Sequence, residues 1–375
     1  MIAKFLFGIA VAFAALGLLT VFRIPDWIDW KLTVVACSFG YALAAVPLAA
    51  ALLAWCLPAS RGGMAVATGI AGLLGFGLLA QPCVQAWLIG RDLPRKLELS
   101  FGRESPEGAP FTFGGLFRAW PHPAPRTTWT YSGSQQLDFY PAIGRSPAPC
   151  VIVIHGGGWD TGDRRQLPHF NYWLARKGYA VADISYRLAP GAVWPAQRED
   201  VAAAIAFVKL NASSWGVDAS RLVLFGRSAG GQIAEACGYG LHDPALRGVV
   251  ALYAPSDMRF AWSLGRPDDA LNSPQLLRNF LGGTPETAGP AYDSASGLFL
   301  VTAHSPPTLM VHGTIDTLVW QRHSIRLAER LTESGVPNLM VSMPWATHAL
   351  ELNEDSPSGQ LTMYALEWFL AAVCR

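Results

Sequence analysis

Three apolar stretches open the chain, from about Phe5 to Phe22, Leu32 to Leu57 and Met64 to Ile89, with charged residues only at their margins. Each is close to or above the ~18–20 residues that carry a helix across a hydrocarbon core. Trp27, Trp30, Trp55 and Trp87 lie near their ends, where an indole keeps its ring in the interface and its N–H near water. The pattern predicts three transmembrane helices. Soluble buried helices are the poorer reading, since stretches this long without a polar face have nothing to present to water. Residues 1–22 also fit a cleaved signal peptide with Lys4 as its basic region, but two further spans would still hold the chain in the membrane.

After Arg91 the pattern changes. "GRESPEGAPFTFGG" and "AWPHPAPR" are polar and rich in Pro and Gly, the composition of a linker. From about Thr127 short apolar runs alternate with helix-like stretches, which predicts an α/β fold on a mostly parallel sheet. "TTWTYSG" and "QQLDFYPA" read as an opening hairpin. "CVIVIH", "YAVADISY", "RLVLFG", "GVVALYA", "PTLMVHG" and "NLMVSM" read as strands buried on both faces. Helices are expected over Pro195 to Leu210, after Ser228, in "WQRHSIRLAERLTES" and in "QLTMYALEWFLAAV". The expected organisation is a membrane domain over 1–90, a linker over 91–126 and an α/β domain over 127–375.

Composition sharpens the division. Hydrophobic residues make up 51% of the 375 and charged residues 15%, against about 25% charged in soluble domains, and the deficit lies in the first ninety positions. The net charge of +1, without Lys/Arg blocks or aromatic RNA-binding motifs, excludes nucleic acid as an expected partner. Cys150, Cys237 and Cys374 have no metal-type spacing and read as small buried hydrophobes, while Cys37, Cys56 and Cys83 fall in or beside the spans. An outward N-terminus would give the cytoplasm Arg23, Lys31, Arg91, Arg95 and Lys96; the reverse would give it Lys4 and Arg61. The balance puts the α/β domain in the cytoplasm. No Asp, Glu, Lys or Arg sits mid-span to mark an ion path, and Gly69, Gly72, Gly75 and Gly77 suit close helix packing.

The chemistry lies in four short segments. Gly226-Arg227-Ser228-Ala229-Gly230 fits G-x-S-x-G, a pattern that a chain with 37 glycines can carry by chance. Here it follows the strand run "RLVLF" and precedes a helical stretch, the placement that exposes a serine on a sharp turn. His155-Gly156-Gly157-Gly158-Trp159 ends an earlier strand. The N–H groups of Gly157 and Gly158, with that of Ala229, would make a three-donor oxyanion hole; a surface loop is the plainer alternative. His348, in "PWATHAL", is the histidine placed downstream between the last strand and last helix, and is the expected base. His155 and His312 suit packing or hydrogen bonding. For the acid, Asp316 lies on the loop after the preceding strand and Asp257, in "APSDM", competes.

"HGGGW", "SYRLAP", "WPAQREDVAAA", "GRSAGG", "HGTIDTLV" and "ATHAL" stand in the order and approximate spacing of the hormone-sensitive-lipase-like carboxylesterases of the α/β-hydrolase superfamily, which the segment from Thr127 onward resembles. The resemblance implies Ser228, Asp316 and His348 as a triad, Gly157, Gly158 and Ala229 as the oxyanion hole, and structural roles for Tyr186, Arg187, Glu199 and Asp200. It implies hydrolysis of a small-molecule ester, lipophilic ones included, without metal or organic cofactor. The same triad serves acyl transfer and amide or peptide cleavage, and a fold retained as a membrane scaffold is the non-enzymatic alternative. Members commonly carry an N-terminal helical cap, whereas here the segment before the domain is rich in Pro and Gly and preceded by the membrane spans. The site is therefore expected to be open, or lidded by the linker or by the insertion Met258 to Leu300, with Trp159 and the Met258 to Trp262 segment beside the pocket. A plain anchor would leave turnover of soluble esters independent of residues 1–90.

Overall fold

The structure is a computed structural model that describes the chain apart from residues 25–26, 57–61, 104–105, 107 and 119–125. Arg61, the end of the second apolar stretch at Leu57, most of "AWPHPAPR" and part of "GRESPEGAPFTFGG" fall outside the described residues, as does the side chain of Trp27.

The chain begins with α1 (Ile2–Leu18), α2 (Trp27–Leu43), α3 (Ala45–Cys56) and α4 (Gly63–Phe101). Among the described residues one helix, α4, is long and apolar enough to cross a membrane, or two if α2 and α3 count as a single bent span. The expectation of three spans is therefore met only in part. At 17 residues, α1 rises about 26 Å, short of the ~30 Å core. The second stretch bends by 52° between its halves. Buried Pro47 lies just past the break; it has no N–H for the carbonyl of Leu43, and its ring crowds that carbonyl.

The expected linker begins later than residue 91. Helix α4 runs on to Phe101 although Pro94 lies inside it. Ala86, Gly90, Leu93 and Leu97 are buried at spacings of four, three and four, one face of a helix, with Arg91, Arg95, Lys96 and Glu98 on the others.

An eight-stranded sheet carries the rest, built from β1 (Thr127–Ser132), β2 (Gln135–Tyr140), β3 (Ala148–Ile154), β4 (Ala180–Ile184), β5 (Val217–Arg227), β6 (Leu246–Leu252), β7 (Thr308–Gly313) and β8 (Asn338–Met343). Its order is β1-β2-β4-β3-β5-β6-β7-β8. Strand β2 pairs antiparallel with β1 and β4, and the other pairings are parallel. The helices between and after them are α5 (Pro168–Arg176), α6 (Ala196–Trp215), α7 (Ala229–Gly240), α8 (Met258–Leu264), α9 (Ser273–Leu281), α10 (Gly289–Ala295), α11 (Gly297–Leu300), α12 (Arg322–Glu333) and α13 (Pro357–Val373).

Because successive residues of a strand face opposite ways, β3 feeds two cores. Ile152 and Ile154 join α6, α7 and α12 on one side. Val151 and Val153 join α5 and α13 on the other. Cys37, Cys83, Ala86, Leu93 and Leu97 belong to that second core too, packed with Trp345, Leu361 and Phe369. The N-terminal helices therefore share apolar contacts with the sheet and do not merely precede it.

Candidate active site

The parallel strands end on one edge, and the loops leaving β3, β5, β7 and β8 converge there. Ser228 follows β5 directly with φ 53° and ψ −121°, a backbone that L-residues adopt only when the surroundings hold it. Glycines make it feasible. A Cβ on Gly230 would overlap the carbonyl oxygens of Ile154 and His155, and one on Gly226 would overlap the Gly230 carbonyl.

Ser228 Oγ lies 2.8 Å from His348 Nε2, and His348 Nδ1 lies 2.8 Å from Asp316 Oδ2. A carboxylate only accepts, so Nδ1 carries the ring proton and Nε2 is left to accept from the serine hydroxyl. Asp316 is fully buried, yet each of its oxygens is satisfied. Oδ1 accepts from the N–H groups of Leu318 and Val319, each at 2.9 Å, and Oδ2 also faces His312 Nε2 at 3.3 Å. Burial alone would raise this carboxyl, but hydrogen bonding and electrostatic attraction from His348 and His312 outweigh it and hold the group below the usual carboxylate range. His312 is itself held at both ring nitrogens. Its Nε2 also meets the Val319 carbonyl at 2.9 Å, and Nδ1 accepts from Ser324 Oγ at 2.7 Å.

Asp257, the competing acid, is placed otherwise. It accepts from the N–H of Phe260 as the cap of α8 and pairs with Arg326 at 2.7 Å. His155 is buried, pushed down to about 4 by desolvation, and stacks on Tyr186 at 4.2 Å. Arg187 meets Asp200 at 2.8 Å and Glu199 at 2.9 Å, tying the segment after β4 to the start of α6.

The glycine loop stands over the serine. Gly157 and Gly158 have φ of 120° and 59°, and the Gly157 carbonyl accepts from Thr161 Oγ1 at 2.8 Å, which closes the turn. Among the described residues, no protein acceptor takes the N–H of Gly157, Gly158 or Ala229. All three residues line the cavity that also holds Ser228 and His348.

That cavity measures about 1030 Å³, at the upper end of the range for small-molecule sites. Leu276 and Leu277 of α9, Leu318, Trp320 and Leu352 give it apolar walls. From the suspected Met258 to Trp262 segment only Ala261 reaches the cavity; Met258 is buried in the core. Trp159 lines it with its ring stacked on Phe280 at 4.4 Å and its indole N–H given to Gln232 at 2.8 Å.

Two parts of the site escaped the sequence reading. Arg227, inside the serine pentad, is buried between the rings of Phe170 and Phe225, each 4.6 Å away. It donates to Glu351 Oε1 at 2.8 Å, and Tyr253 O–H donates to the same oxygen at 2.6 Å. The Tyr253 ring packs 4.4 Å from that of His348, so this network braces His348. A carboxylate three residues after His348 was the available signal. The second part is Arg23, from the segment after α1, and Trp30, near the start of α2, which both line the cavity.

A family model described as BD-FAE matches residues 137–331, just over half of the chain. The chain belongs to the BD-FAE family. The matched span runs from β2 to near the end of α12 and so contains Ser228, the glycine loop and Asp316, while His348 lies beyond it. Among curated proteins, the probable carboxylic ester hydrolase LipM of Mycobacterium tuberculosis (strain ATCC 25618 / H37Rv) is 28% identical over 275 residues, 69% of this chain and 63% of its own length. Esterase LipC of the same strain is 29% identical over 244 residues, 61% and 59% of the two chains. The BD-FAE chain thus spans about three-fifths of the length of these relatives. Among solved structures, esterase LipW from Mycobacterium marinum shares the fold, with a TM-score of 0.56 and 23% identity over 79% of this chain and 90% of that one.

Proposed function

We propose that this BD-FAE protein is a membrane-held serine carboxylic-ester hydrolase with Ser228 as nucleophile, His348 as base and Asp316 as the acid that orients it. The observation that carries the reading is the unbroken hydrogen-bond chain from Ser228 Oγ through His348 to Asp316, at the floor of a cavity lined by three unengaged N–H groups. The ester-hydrolase and esterase names of the relatives support the same reaction class.

The chemistry follows from the parts. Ser228 Oγ attacks the ester carbonyl as its proton passes to His348 Nε2, and Asp316 stabilises the imidazolium that forms. The oxyanion is held by the N–H groups of Gly157, Gly158 and Ala229, each such donor contributing about 3 kcal/mol to the transition state. The alcohol leaves with the proton from His348. Water then attacks the acyl-serine, giving one proton to His348, which returns it to Ser228 as the acid departs. No step calls on a metal or organic cofactor.

The bilayer is part of the proposal. Residues 1–90 are read as the membrane part and 127–375 as the catalytic domain, with α4 continuous past the boundary. Large side chains on the outside of α1–α4 support this, as do Arg91, Arg95 and Lys96 beside the apolar half of α4, which favour a cytoplasmic catalytic domain. Ser228→Ala in the full chain is expected to lower hydrolysis of short p-nitrophenyl esters by on the order of 10⁴-fold or more. Wild-type turnover by that variant overturns the assignment.

A further inference from the structure

Arg23 is a cation of the cavity wall that the proposed hydrolysis does not use. It follows α1, is half-buried, and lays its guanidinium over the Trp320 ring at 3.7 Å. The chain beside it is held in place, because Thr317 Oγ1 donates to the Ile24 carbonyl at 2.8 Å, one residue from Asp316. Trp320 sits on the same loop, four residues after the acid.

The other cations on the wall are engaged. Arg227 is bound to Glu351 and Arg266 to Asp268. Arg23 has no carboxylate partner among the described residues; Asp316 acts on it only through space, with every oxygen of that carboxylate already taken. A guanidinium partly stripped of water and stacked on an indole presents its remaining N–H edge as a planar donor pair, the geometry that carboxylate and phosphate accept. Apolar walls beside it suit a hydrocarbon chain.

We propose that Arg23, held on Trp320, is a specificity-determining residue that binds an anionic group, phosphate or carboxylate, on an amphiphilic ester whose carbonyl lies at Ser228. The inference rests on the hydrolase reading for its substrate, and the residue that selects the substrate would then come from the N-terminal helices. The catalytic steps are unchanged by it.

Two matched probe pairs test the proposal on the full chain in neutral detergent. 1-Octanoylglycerol and 1-octanoylglycerol 3-phosphate differ only in the phosphate; p-nitrophenyl octanoate and mono-p-nitrophenyl suberate differ in a terminal carboxylate. Arg23→Gln is expected to lower the ratio of anionic to neutral kcat/KM by on the order of tenfold, chiefly through KM, with partial recovery in Arg23→Lys. The arm that responds more identifies the anion as a phosphate on the alcohol side or a carboxylate on the acyl side. Equal losses on anionic and neutral esters, or no loss on either, overturn the proposal. Binding of the non-hydrolysable ether 1-octylglycerol 3-phosphate, followed by tryptophan fluorescence, reads the subsite without turnover. Weaker binding to Arg23→Gln than to wild type by a similar factor supports it even if ester hydrolysis itself fails, and equal binding together with an unchanged carboxylate pair overturns it.

Discussion

The sheet and the N-terminal helices sort their side chains in opposite directions. In β3 and β5 the bulky residues Ile152, Val153, Leu222 and Leu224 are fully buried. In α1, α3 and the first half of α4 small residues such as Ala10, Ala50, Ala54 and Gly72 are buried beside only a few large ones, Leu6 and Leu79, while Leu52 is 59%, Ile70 65% and Trp55 73% exposed. Water penalises exposed apolar area by roughly 25 cal/mol per Å², so such an exterior is costly in water and accords with the membrane reading proposed above. In hydrocarbon the penalty vanishes and close packing of small residues decides helix association. A Cβ on Gly72 would press on Ala51 Cβ at 2.8 Å, the backbone approach that this packing depends on.

Between the two regimes lies a seam. Cys37 Sγ donates to the Trp345 carbonyl at 2.9 Å, and Asn353 Nδ2 donates to the Ser38 carbonyl at 2.8 Å, so α2 holds both ends of the loop that carries His348. The second half of α4 covers the core beneath. Residues 1–90 thus form part of the scaffold of the site, which a plain anchor would not.

The largest effect should come from separating the two regions. A chain reduced to residues 102–375 loses the cover over Trp345, Leu361 and Phe369 and the wall formed by Arg23 and Trp30. It is expected to aggregate and to show no measurable hydrolysis of soluble p-nitrophenyl esters, assayed after size-exclusion chromatography. A monodisperse fragment with full activity would restore the plain anchor.

Next in size is a matched pair of truncations. Leu224→Ala empties a fully buried site in β5 and should cost about 2–5 kcal/mol. Leu74→Ala, at a position 53% exposed on α4, should stay within about 0.5 kcal/mol, both read by denaturant unfolding of the full chain in detergent. Similar losses would mean that the outside of α4 packs against protein, and the inside-out arrangement would fail.

How far the sequence alone reached follows the same division. Each strand was legible because β-branched runs bounded by turn residues have few other homes, and the meeting of Ser228, His348 and Asp316 was legible because the loops after β5, β7 and β8, parallel strands of one sheet, share an edge. Both limits have physical causes. The end of α4 hid behind Pro94 and a rise in charge, although Ala86, Leu93 and Leu97 kept a helical period. The break in the second apolar stretch had its cause in view at Pro47. The cavity was not legible, since Arg23 and Trp320 lie nearly three hundred positions apart and meet where the segment after α1 docks on the β7–α12 loop, Thr317 Oγ1 donating to the Ile24 carbonyl.

The smallest effect per step concerns how dry the sheet side is. Glu235 of α7 is fully buried behind the serine turn; Ser256 Oγ donates to its Oε1 at 3.0 Å, and its Oε2 has no partner. Burial pushes the carboxyl up to about 8, against an ordinary value of 4.5, with the Ser256 bond offsetting only part. The folded chain therefore holds a proton that the unfolded chain releases. Its contribution to stability is complete below about 4.5 and is lost as pH rises towards about 8, at about 1.4 kcal/mol per pH unit inside that window. Glu235→Gln should remove this slope, measured as unfolding free energy at pH 5.5, 6.5 and 7.5. Parallel slopes in the two proteins would mean that water reaches α7, and the sheet core would then differ from the helices in shape more than in dryness.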